Sequence, residues 1–274
     1  MTIKDTIRKY TNELKLVTHI PAKEVEILML HLLEKNTIWL HLNYNVEFEK
    51  EKELEVLVKK RATNYPLEYI INKASFYGEM FIVKEGVLIP RPETEILVEN
   101  AIEILKDKKE IKVLEIGTGS GIISVMLAML IENIKIIAVD INEKALDLAK
   151  QNAIKHGVEN KIEFRLSNLY ENVNETDIFM TISNPPYIAN NYILPTNVKY
   201  EPSNALFGGV VGDELLKDII KATSEKKIPY LLCEMGYDQK TPLENYFKEF
   251  NVDSFSFYKD YESFDRGFTL KFKK

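Results

Sequence analysis

The tetrapeptide Asn184-Pro185-Pro186-Tyr187 is the part of the sequence whose residue types and order point most directly to chemistry. Two consecutive prolines restrict their own φ angles and push the preceding asparagine into an extended conformation, so the loop is stiff. A stiff loop can hold two hydrogen-bond acceptors in position before a ligand arrives. We assign these acceptors as the side-chain oxygen of Asn184 and the carbonyl of Pro185, beside the flat apolar ring of Tyr187.

Two fixed acceptors suit a planar NH₂ group, whose delocalised lone pair makes it a poor nucleophile. Acceptors that bind its two hydrogens orient the nitrogen and stabilise the positive charge that develops as it attacks an electrophilic methyl group. No strong base is needed, because the proton becomes acidic as the new bond forms. A glutamine carboxamide and the exocyclic amine of adenine both meet this description, and the tetrapeptide leaves both open. A rigid loop with no chemical role is the remaining alternative.

A glycine-rich loop occupies residues 115–121, directly after a predicted strand and before a predicted helix. Glycine permits a tight turn and a close ligand approach, and the helix start offers free N–H groups. The spacing is Gly-x-Gly-x-Gly, not the Gly-x-Gly-x-x-Gly that binds a pyrophosphate, which favours a nucleoside with an amino-acid tail. A purely structural turn is the alternative. The candidate cofactor-binding residues here are Glu115, Gly117, Thr118, Gly119, Ser120 and Gly121.

Asp140 stands at the predicted end of the next strand, 23 residues after Gly117. A carboxylate at this place accepts hydrogen bonds from both ribose hydroxyls, although a helix cap would use the same residue type. Residues 167–169 follow the third strand and are expected beside an adenine, with Asn168 as the candidate contact. Together these features predict S-adenosyl-L-methionine as the cofactor and S-adenosyl-L-homocysteine as the product.

Alternating strand and helix patterns from about residue 111 predict the elements that position these loops. Short apolar runs such as KVLEIG and KIIAVD indicate buried strands, and a helical pattern follows each of them. This alternation predicts an α/β fold with a Rossmann-like, mostly parallel sheet and helices on both faces. The strands in VDSFSFY and GFTLKF have no helix between them, so we expect an antiparallel C-terminal hairpin.

The first 72 residues show helical periodicity and no strand pattern. Ile7, Tyr10, Leu14 and Val17 recur at spacings of three and four, which is typical of one helix face. We therefore expect a small all-helical domain over residues 1–72. A linker with a β-hairpin is expected over residues 73–95, and the larger α/β domain over residues 96–274.

Composition and charge exclude several classes of protein. No stretch approaches 18 consecutive apolar residues, so no membrane-spanning helix is predicted. The net charge is −6, and residues 1–72 carry eleven basic and eleven acidic side chains, so the whole acidic excess lies in the chain after residue 72. This balance argues against nucleic acid as the main partner. The single cysteine, Cys233, suits a reducing cytoplasm, and no metal-ligand spacing is present.

The sequence resembles the release factor glutamine methyltransferase family over almost its whole length. The resemblance rests on the glycine loop and the Asn-Pro-Pro-Tyr tetrapeptide, and on further motifs along the chain. These are the run at residues 66–78, the string LIPRPETE at residues 88–95, Tyr200-Glu201-Pro202, Glu234-Met235-Gly236 with Gln239, and Asp265-Arg266.

The resemblance implies a class I methyltransferase domain that holds S-adenosyl-L-methionine. It implies transfer of a methyl group to the side-chain amide nitrogen of the glutamine in the Gly-Gly-Gln motif of class I peptide-chain release factors. The helical domain would help to hold the release factor. Residues 117–121 and Asp140 would bind the cofactor. Asn184, Pro185, Pro186 and Tyr187 would be the catalytic residues and would bind the glutamine. Asn184 would lie next to the transferred methyl group and so would also contact the cofactor.

Some positions depart from the family pattern or leave their role open. Glu115 stands where the family usually has aspartate, and Asn168 replaces an acidic residue. The segment at residues 208–214 is a looser version of a glycine-rich stretch in the family. Phe76 and residues 91–94 would either line the site or only pack and stiffen the linker.

Three other functions compete with this hypothesis. A nucleic-acid adenine methyltransferase shares the tetrapeptide but should carry a basic face and a large target-recognition domain. A non-catalytic binder of release factors would have no use for the two acceptors. A dehydrogenase would need the third spaced glycine. We therefore expect a cytoplasmic, monomeric enzyme that acts on a protein, with no membrane or direct nucleic-acid partner.

Overall fold

The computed structural model describes residues 1–273, which form two compact units. The first unit comprises Met1–Lys73 together with Leu194–Tyr200. The second comprises Ala74–Ile193 and the rest of the described chain from Glu201 onward. Within the described residues, no helix is both long enough and apolar enough to cross a membrane.

The first unit is helical. Thr2 caps the first helix by accepting a hydrogen bond from the backbone N–H of Asp5 at 3.1 Å. Ile7, Tyr10 and Leu14 of that helix are buried, whereas Val17 lies beyond its end. The helices are α1 Ile3–Leu14, α2 Pro21–Leu33, α3 Thr37–Leu42, α4 Glu51–Ala62 and α5 Leu67–Ile71.

A buried ion pair joins α2 to α4. Nε and Nη2 of Arg61 donate to the two carboxylate oxygens of Glu24 at 2.6 and 3.1 Å. Both side chains are less than one-tenth exposed. A buried charge is tolerated when it is paired with good geometry, so this contact specifies how the two helices pack.

The segment Leu194–Tyr200 belongs to the helical unit although it follows the Asn-Pro-Pro-Tyr tetrapeptide closely in the chain. The Tyr200 hydroxyl donates to the backbone carbonyl of Thr63 at 3.1 Å. Its ring meets the Tyr65 ring edge-on, with the ring centroids 5.1 Å apart. The segment is therefore packed against the residues that follow α4 within the same unit.

The second unit is built on a seven-stranded sheet and also contains two small two-stranded sheets. The strands are β1 Lys73–Phe76, β2 Glu79–Ile82, β3 Ile111–Ile116, β4 Ile134–Asp140, β5 Ile162–Leu166, β6 Met180–Ser183, β7 Ile188–Ala189, β8 Phe207–Gly209, β9 Tyr230–Glu234, β10 Val252–Lys259 and β11 Asp265–Phe272. The large sheet has the order β10-β11-β9-β6-β3-β4-β5, while β1 pairs with β2 and β7 with β8.

The pairing within the large sheet confirms the predicted fold class. Strands β5, β4, β3, β6 and β9 run parallel, and β11 is antiparallel to both β9 and β10. The C-terminal strands thus form the expected antiparallel hairpin. Parallel strands are buried on both faces, which explains the nearly continuous apolar runs in β3 and β4.

Helices cover both faces of this sheet. They are α6 Thr94–Leu105, α7 Ile122–Leu130, α8 Glu143–Lys155, α9 Glu214–Glu225 and α10 Lys240–Phe247. One hydrophobic cluster includes buried residues of α6, α7 and α8, and a second includes those of α9 and α10. The sheet is therefore covered as a doubly wound fold requires.

Gly121 is the N-cap of α7 and lies close to α8. Its φ is +82°, and a Cβ atom built on it would lie 2.9 Å from the Cβ of Ala149. Gly157 has a similar φ of +68° but open space around it. The two positions therefore separate the cost of the backbone conformation from the cost of the close approach.

We expect Gly157→Ala to lower the free energy of unfolding by about 1–2 kcal/mol, because it forces an L-residue into the left-handed region. Gly121→Ala should lose about 1–3 kcal/mol more, because its added methyl group also overpacks against Ala149. Urea unfolding of the two variants measures the difference. Equal losses of unfolding free energy in the two variants would show that the close approach of α7 to α8 adds no cost at Gly121.

Candidate active site

A cavity opens at the carboxyl edge of the parallel strands in the second unit, where loops after β3, β4, β5 and β6 meet. It contains about 1040 Å³ of space free of atoms, its mouth included. Edges of this kind are where α/β sheets bind ligands. The sequence-predicted site residues that line it are Glu115, Gly117, Thr118, Gly119, Ser120, Asp140, Asn168, Asn184, Pro185 and Pro186. Gly121 and Tyr187 do not line it.

The glycine loop presents backbone to the cavity. Gly117 has φ +70° and Gly119 has φ +54°, conformations that glycine adopts without strain. No atom lies within 4 Å of a Cβ built on Gly117, so that direction is open for a ligand. Gly121 lies outside the lining because its role is the close packing of α7 on α8.

Asp140 ends β4 and binds the backbone around it. Its Oδ2 accepts from the N–H of Gly119 at 2.9 Å, and its Oδ1 accepts from the N–H of Asn142 at 2.9 Å. Burial raises the pKa of the carboxyl group, while these backbone hydrogen bonds oppose the rise. Each carboxylate oxygen has a second lone pair, so Asp140 keeps the capacity to accept from a diol.

Glu115, near the end of β3, is 1% exposed. Its Oε2 accepts from the Thr118 hydroxyl at 2.8 Å and from the backbone N–H and hydroxyl of Ser124. Its Oε1 is buried without a hydrogen-bond partner among residues 1–273. Burial raises the pKa of Glu115 to about 7. A cationic group entering the cavity would find this oxygen available.

Residues 167–169 follow β5 and line the cavity as a short turn. The Ser167 hydroxyl donates to the carbonyl of Leu169 at 3.0 Å and accepts from the N–H of Asn172 at 3.0 Å. Asn168 donates through Nδ2 to Glu171 at 3.0 Å. The Ser167 hydroxyl therefore stabilises the turn itself. The amide NH₂ group of Asn168 is bound to Glu171.

The Asn-Pro-Pro-Tyr tetrapeptide follows β6 and delivers its first three residues to the cavity. Nδ2 of Asn184 donates to the Thr94 hydroxyl at 2.9 Å. Among the described residues, none donates a hydrogen bond to Oδ1 of Asn184 or to the carbonyl of Pro185. These are the two acceptors that the sequence singled out.

Tyr187 turns away from the cavity into the protein. Its hydroxyl donates to Oε1 of Glu234 at 2.9 Å, and its carbonyl accepts from Nε2 of Gln239 at 2.9 Å. Burial, followed by the nearby Glu234 charge, raises the pKa of the phenol. The structure therefore gives the tyrosine an anchoring contact where the sequence suggested an apolar face.

Two glycines pack closely against the backbone of the tetrapeptide. A Cβ atom on Gly208 would lie 2.4 Å from the carbonyl oxygen of Pro186, and one on Gly212 would lie 2.5 Å from that of Tyr187. The looser glycine stretch at residues 208–214 thus keeps glycine where the backbone approaches most closely.

Several site residues were not recognised by type and spacing. Glu201 accepts from the N–H of Ile89 at 3.0 Å and pairs with Arg91, which holds the segment before α6 at the cavity. Arg91 and Thr94 line the cavity, whereas Phe76 lies in the core against Phe81, with ring centroids 6.1 Å apart. The string LIPRPETE at residues 88–95 was the sequence signal for this part of the site, but its residue types do not indicate a particular reaction.

Sequence comparison finds two family models and several curated relatives that match this chain. Residues 93–198 match the family described as Methyltransferase small domain, and residues 5–71 match the PrmC N-terminal domain. A release factor glutamine methyltransferase from Aquifex aeolicus is 34% identical, covering 96% of this chain and 93% of that protein. One from Fusobacterium nucleatum is 36% identical, covering 92% of this chain and 73% of that protein.

Structure comparison supports the fold. The hMettl16 catalytic domain, solved in complex with MAT2A 3'UTR hairpin 1, aligns with a TM-score of 0.56. The alignment covers 85% of each chain at 17% identity. Identity at this level reports the shared class I methyltransferase architecture and nothing about the substrate.

We expect Glu115→Gln to gain stability relative to the natural protein as the pH rises from about 4.5 to about 7. Burial raises the pKa of Glu115 from 4.5 in the unfolded chain to about 7, so its contribution to folding is full below 4.5 and is lost across that window. The relative gain should approach about 3 kcal/mol above pH 7. Urea unfolding at several pH values measures it. Exposed Glu132→Gln is the control, and parallel curves for all three proteins would contradict the prediction.

Proposed function

Because this chain belongs to the release factor glutamine methyltransferase family, we propose that it transfers a methyl group to the glutamine side-chain amide nitrogen of a class I peptide-chain release factor. The glutamine would be that of the Gly-Gly-Gln motif. Since release factors act in translation, the enzyme would work in the cytoplasm. The main support for the proposal is a pair of hydrogen-bond acceptors without a donor among the described residues, Oδ1 of Asn184 and the carbonyl of Pro185. Both residues line a cavity that the glycine loop also lines.

The cavity fits S-adenosyl-L-methionine as the methyl donor. The space beside Gly117 admits a ligand close to the backbone, and the unpartnered Oε1 of Glu115 suits the ammonium group of an amino-acid tail. Asp140 would accept from the ribose hydroxyls, and residues 167–169 would lie beside the adenine. When bound, this cofactor supplies an electrophilic methyl group on a sulfonium.

The residues of the chain would activate the glutamine amide by orientation and charge stabilisation. Oδ1 of Asn184 and the carbonyl of Pro185 would accept the two N–H bonds of the amide. Accepting them holds the nitrogen in position and stabilises the positive charge that it gains as the carbon–nitrogen bond forms. The stiffness of the diproline keeps the two acceptors in place, so little reorganisation is needed.

An adenine target is less well supported. The named relatives align across nearly the whole chain, including the helical first unit, and both are release factor enzymes. The RNA-bound structural neighbour shares only the fold at 17% identity. The net charge of −6 also disfavours a phosphate backbone as the partner.

Transfer of labelled methyl groups from S-adenosyl-L-methionine should appear on an intact class I release factor. It should be absent when the glutamine of the Gly-Gly-Gln motif is changed to alanine, because the acceptor nitrogen is then missing. Adenine-containing duplex DNA should remain unlabelled. Label on the DNA, or on the alanine variant of the factor, would refute the proposed substrate.

We expect Asn184→Ala and Asp140→Ala to fail in different ways. Asn184→Ala should lower kcat by about 100- to 1000-fold with cofactor affinity nearly unchanged, because it removes one acceptor of the reacting amide. Asp140→Ala should mainly weaken cofactor binding, because it removes the ribose acceptor. Calorimetric titration of the cofactor and single-turnover rates separate the two effects, with the exposed Asp147→Ala as control. Equal loss of cofactor affinity in both variants would contradict this division of roles.

A further inference from the structure

A chain of hydrogen bonds links Asn184 of the tetrapeptide to Thr94 and Glu234, which belong to other elements. Nδ2 of Asn184 donates to the hydroxyl of Thr94 at 2.9 Å. The Thr94 hydroxyl donates in turn to Oε2 of Glu234 at 2.7 Å. Thr94 begins α6, Asn184 follows β6, and Glu234 ends β9, so only the folded sheet brings them together.

The direction of this chain decides which way the Asn184 amide faces. A threonine hydroxyl has one proton, and Thr94 gives it to Glu234, so its oxygen can only accept from Asn184. It therefore takes the NH₂ end of the Asn184 amide. The opposite end, Oδ1, is left for the cavity that Asn184 lines.

Glu234 is suited to set this direction. It is 1% exposed, and both of its oxygens accept from hydroxyls, Oε2 from Thr94 and Oε1 from Tyr187. A carboxylate can only accept, so it forces both hydroxyls to donate toward it. Burial raises the pKa of the Glu234 carboxyl, while the hydrogen bonds from Thr94 and Tyr187 and the positive charge of Arg266 oppose that rise and favour the ionised carboxylate.

We propose that Thr94 is a positioning residue for methyl transfer, and that Glu234, acting through it, holds the Asn184 amide with Oδ1 toward the substrate nitrogen. With the amide reversed, its NH₂ group would face the NH₂ group of the glutamine, and two donors would meet. The same carboxylate holds the other end of the tetrapeptide through Tyr187, so one buried group orients both ends. The proposal rests on the proposed function for its catalytic consequence.

Thr94→Val tests the hydroxyl directly, because valine keeps the shape and removes the hydrogen bonds to Asn184 and Glu234. Thr94→Ser keeps the hydroxyl and is the rescue variant. Thr223→Val is the matched control, since Thr223 is equally buried and its hydroxyl bonds to Ile219 and Tyr170, away from this chain. Glu234→Gln is the second test, because glutamine offers one acceptor oxygen and one donor group where two hydroxyls must donate.

Thr94→Val should lower kcat for release factor methylation by about 10- to 100-fold, with KM for the factor and for the cofactor changed less than about threefold. Glu234→Gln should show the same pattern. Thr94→Ser should stay within about threefold of the natural kcat, and Thr223→Val should keep it. A Thr94→Val enzyme with natural kcat would overturn the proposal. So would a Thr94→Ser enzyme as slow as Thr94→Val, since the hydroxyl would then be irrelevant.

A thermodynamic cycle tests the same contact without activity. The urea midpoints of Thr94→Val, Asn184→Ala and the double variant should be non-additive, because either change alone breaks the same hydrogen bond. Additive midpoints would overturn the proposal. If the natural protein methylates no release factor at all, the proposed function fails, and this cycle still decides whether Thr94 holds Asn184.

Discussion

The Glu234 carboxylate at the end of β9 accepts the hydrogen bonds on which the geometry of the Asn-Pro-Pro-Tyr loop depends. It is buried, and it accepts from the Thr94 hydroxyl on one side and the Tyr187 hydroxyl on the other. Burying a carboxylate is costly unless its oxygens are satisfied, so the fold must supply these donors in place. Because both Glu234 oxygens must accept hydrogen bonds, the carboxylate also holds the Thr94 and Tyr187 hydroxyls in position.

A second buried carboxylate, Glu115, has a comparable structural role beside the glycine loop. Glu115 at the end of β3 accepts through Oε2 from Thr118 and Ser124, which hold the glycine loop and the start of α7 near it. It differs from Glu234 in one respect, because its Oε1 has no partner among residues 1–273. Both oxygens of Glu234 thus have hydrogen-bond partners within the protein, whereas Oε1 of Glu115 has none among residues 1–273 and would be free to bind a ligand.

The parallel sheet makes these two arrangements neighbours. Strand β3 pairs with β6, and β6 pairs with β9, all in the same direction. Their carboxyl ends therefore lie side by side, and the glycine loop, the tetrapeptide and Glu234 meet at one edge. The methyl donor and the acceptor amide would be bound from adjacent strand ends, which is the proximity that a transfer reaction needs.

Local patterns in the amino-acid sequence were sufficient to predict the secondary-structure elements and the chemistry of the two loops. Apolar runs alternating with helical periods predicted the doubly wound sheet, and proline and glycine predicted a stiff loop and a cavity-facing loop, because these residues restrict or free the backbone wherever they occur. Only the tertiary structure decided which partners those residues meet. Thr94 and Glu234 lie 140 positions apart in the chain, and Tyr187 turned inward to Glu234 while Phe76 went to the core. Hydrogen bonds between distant side chains depend on how strands are ordered in the sheet, and that order is a property of the whole fold.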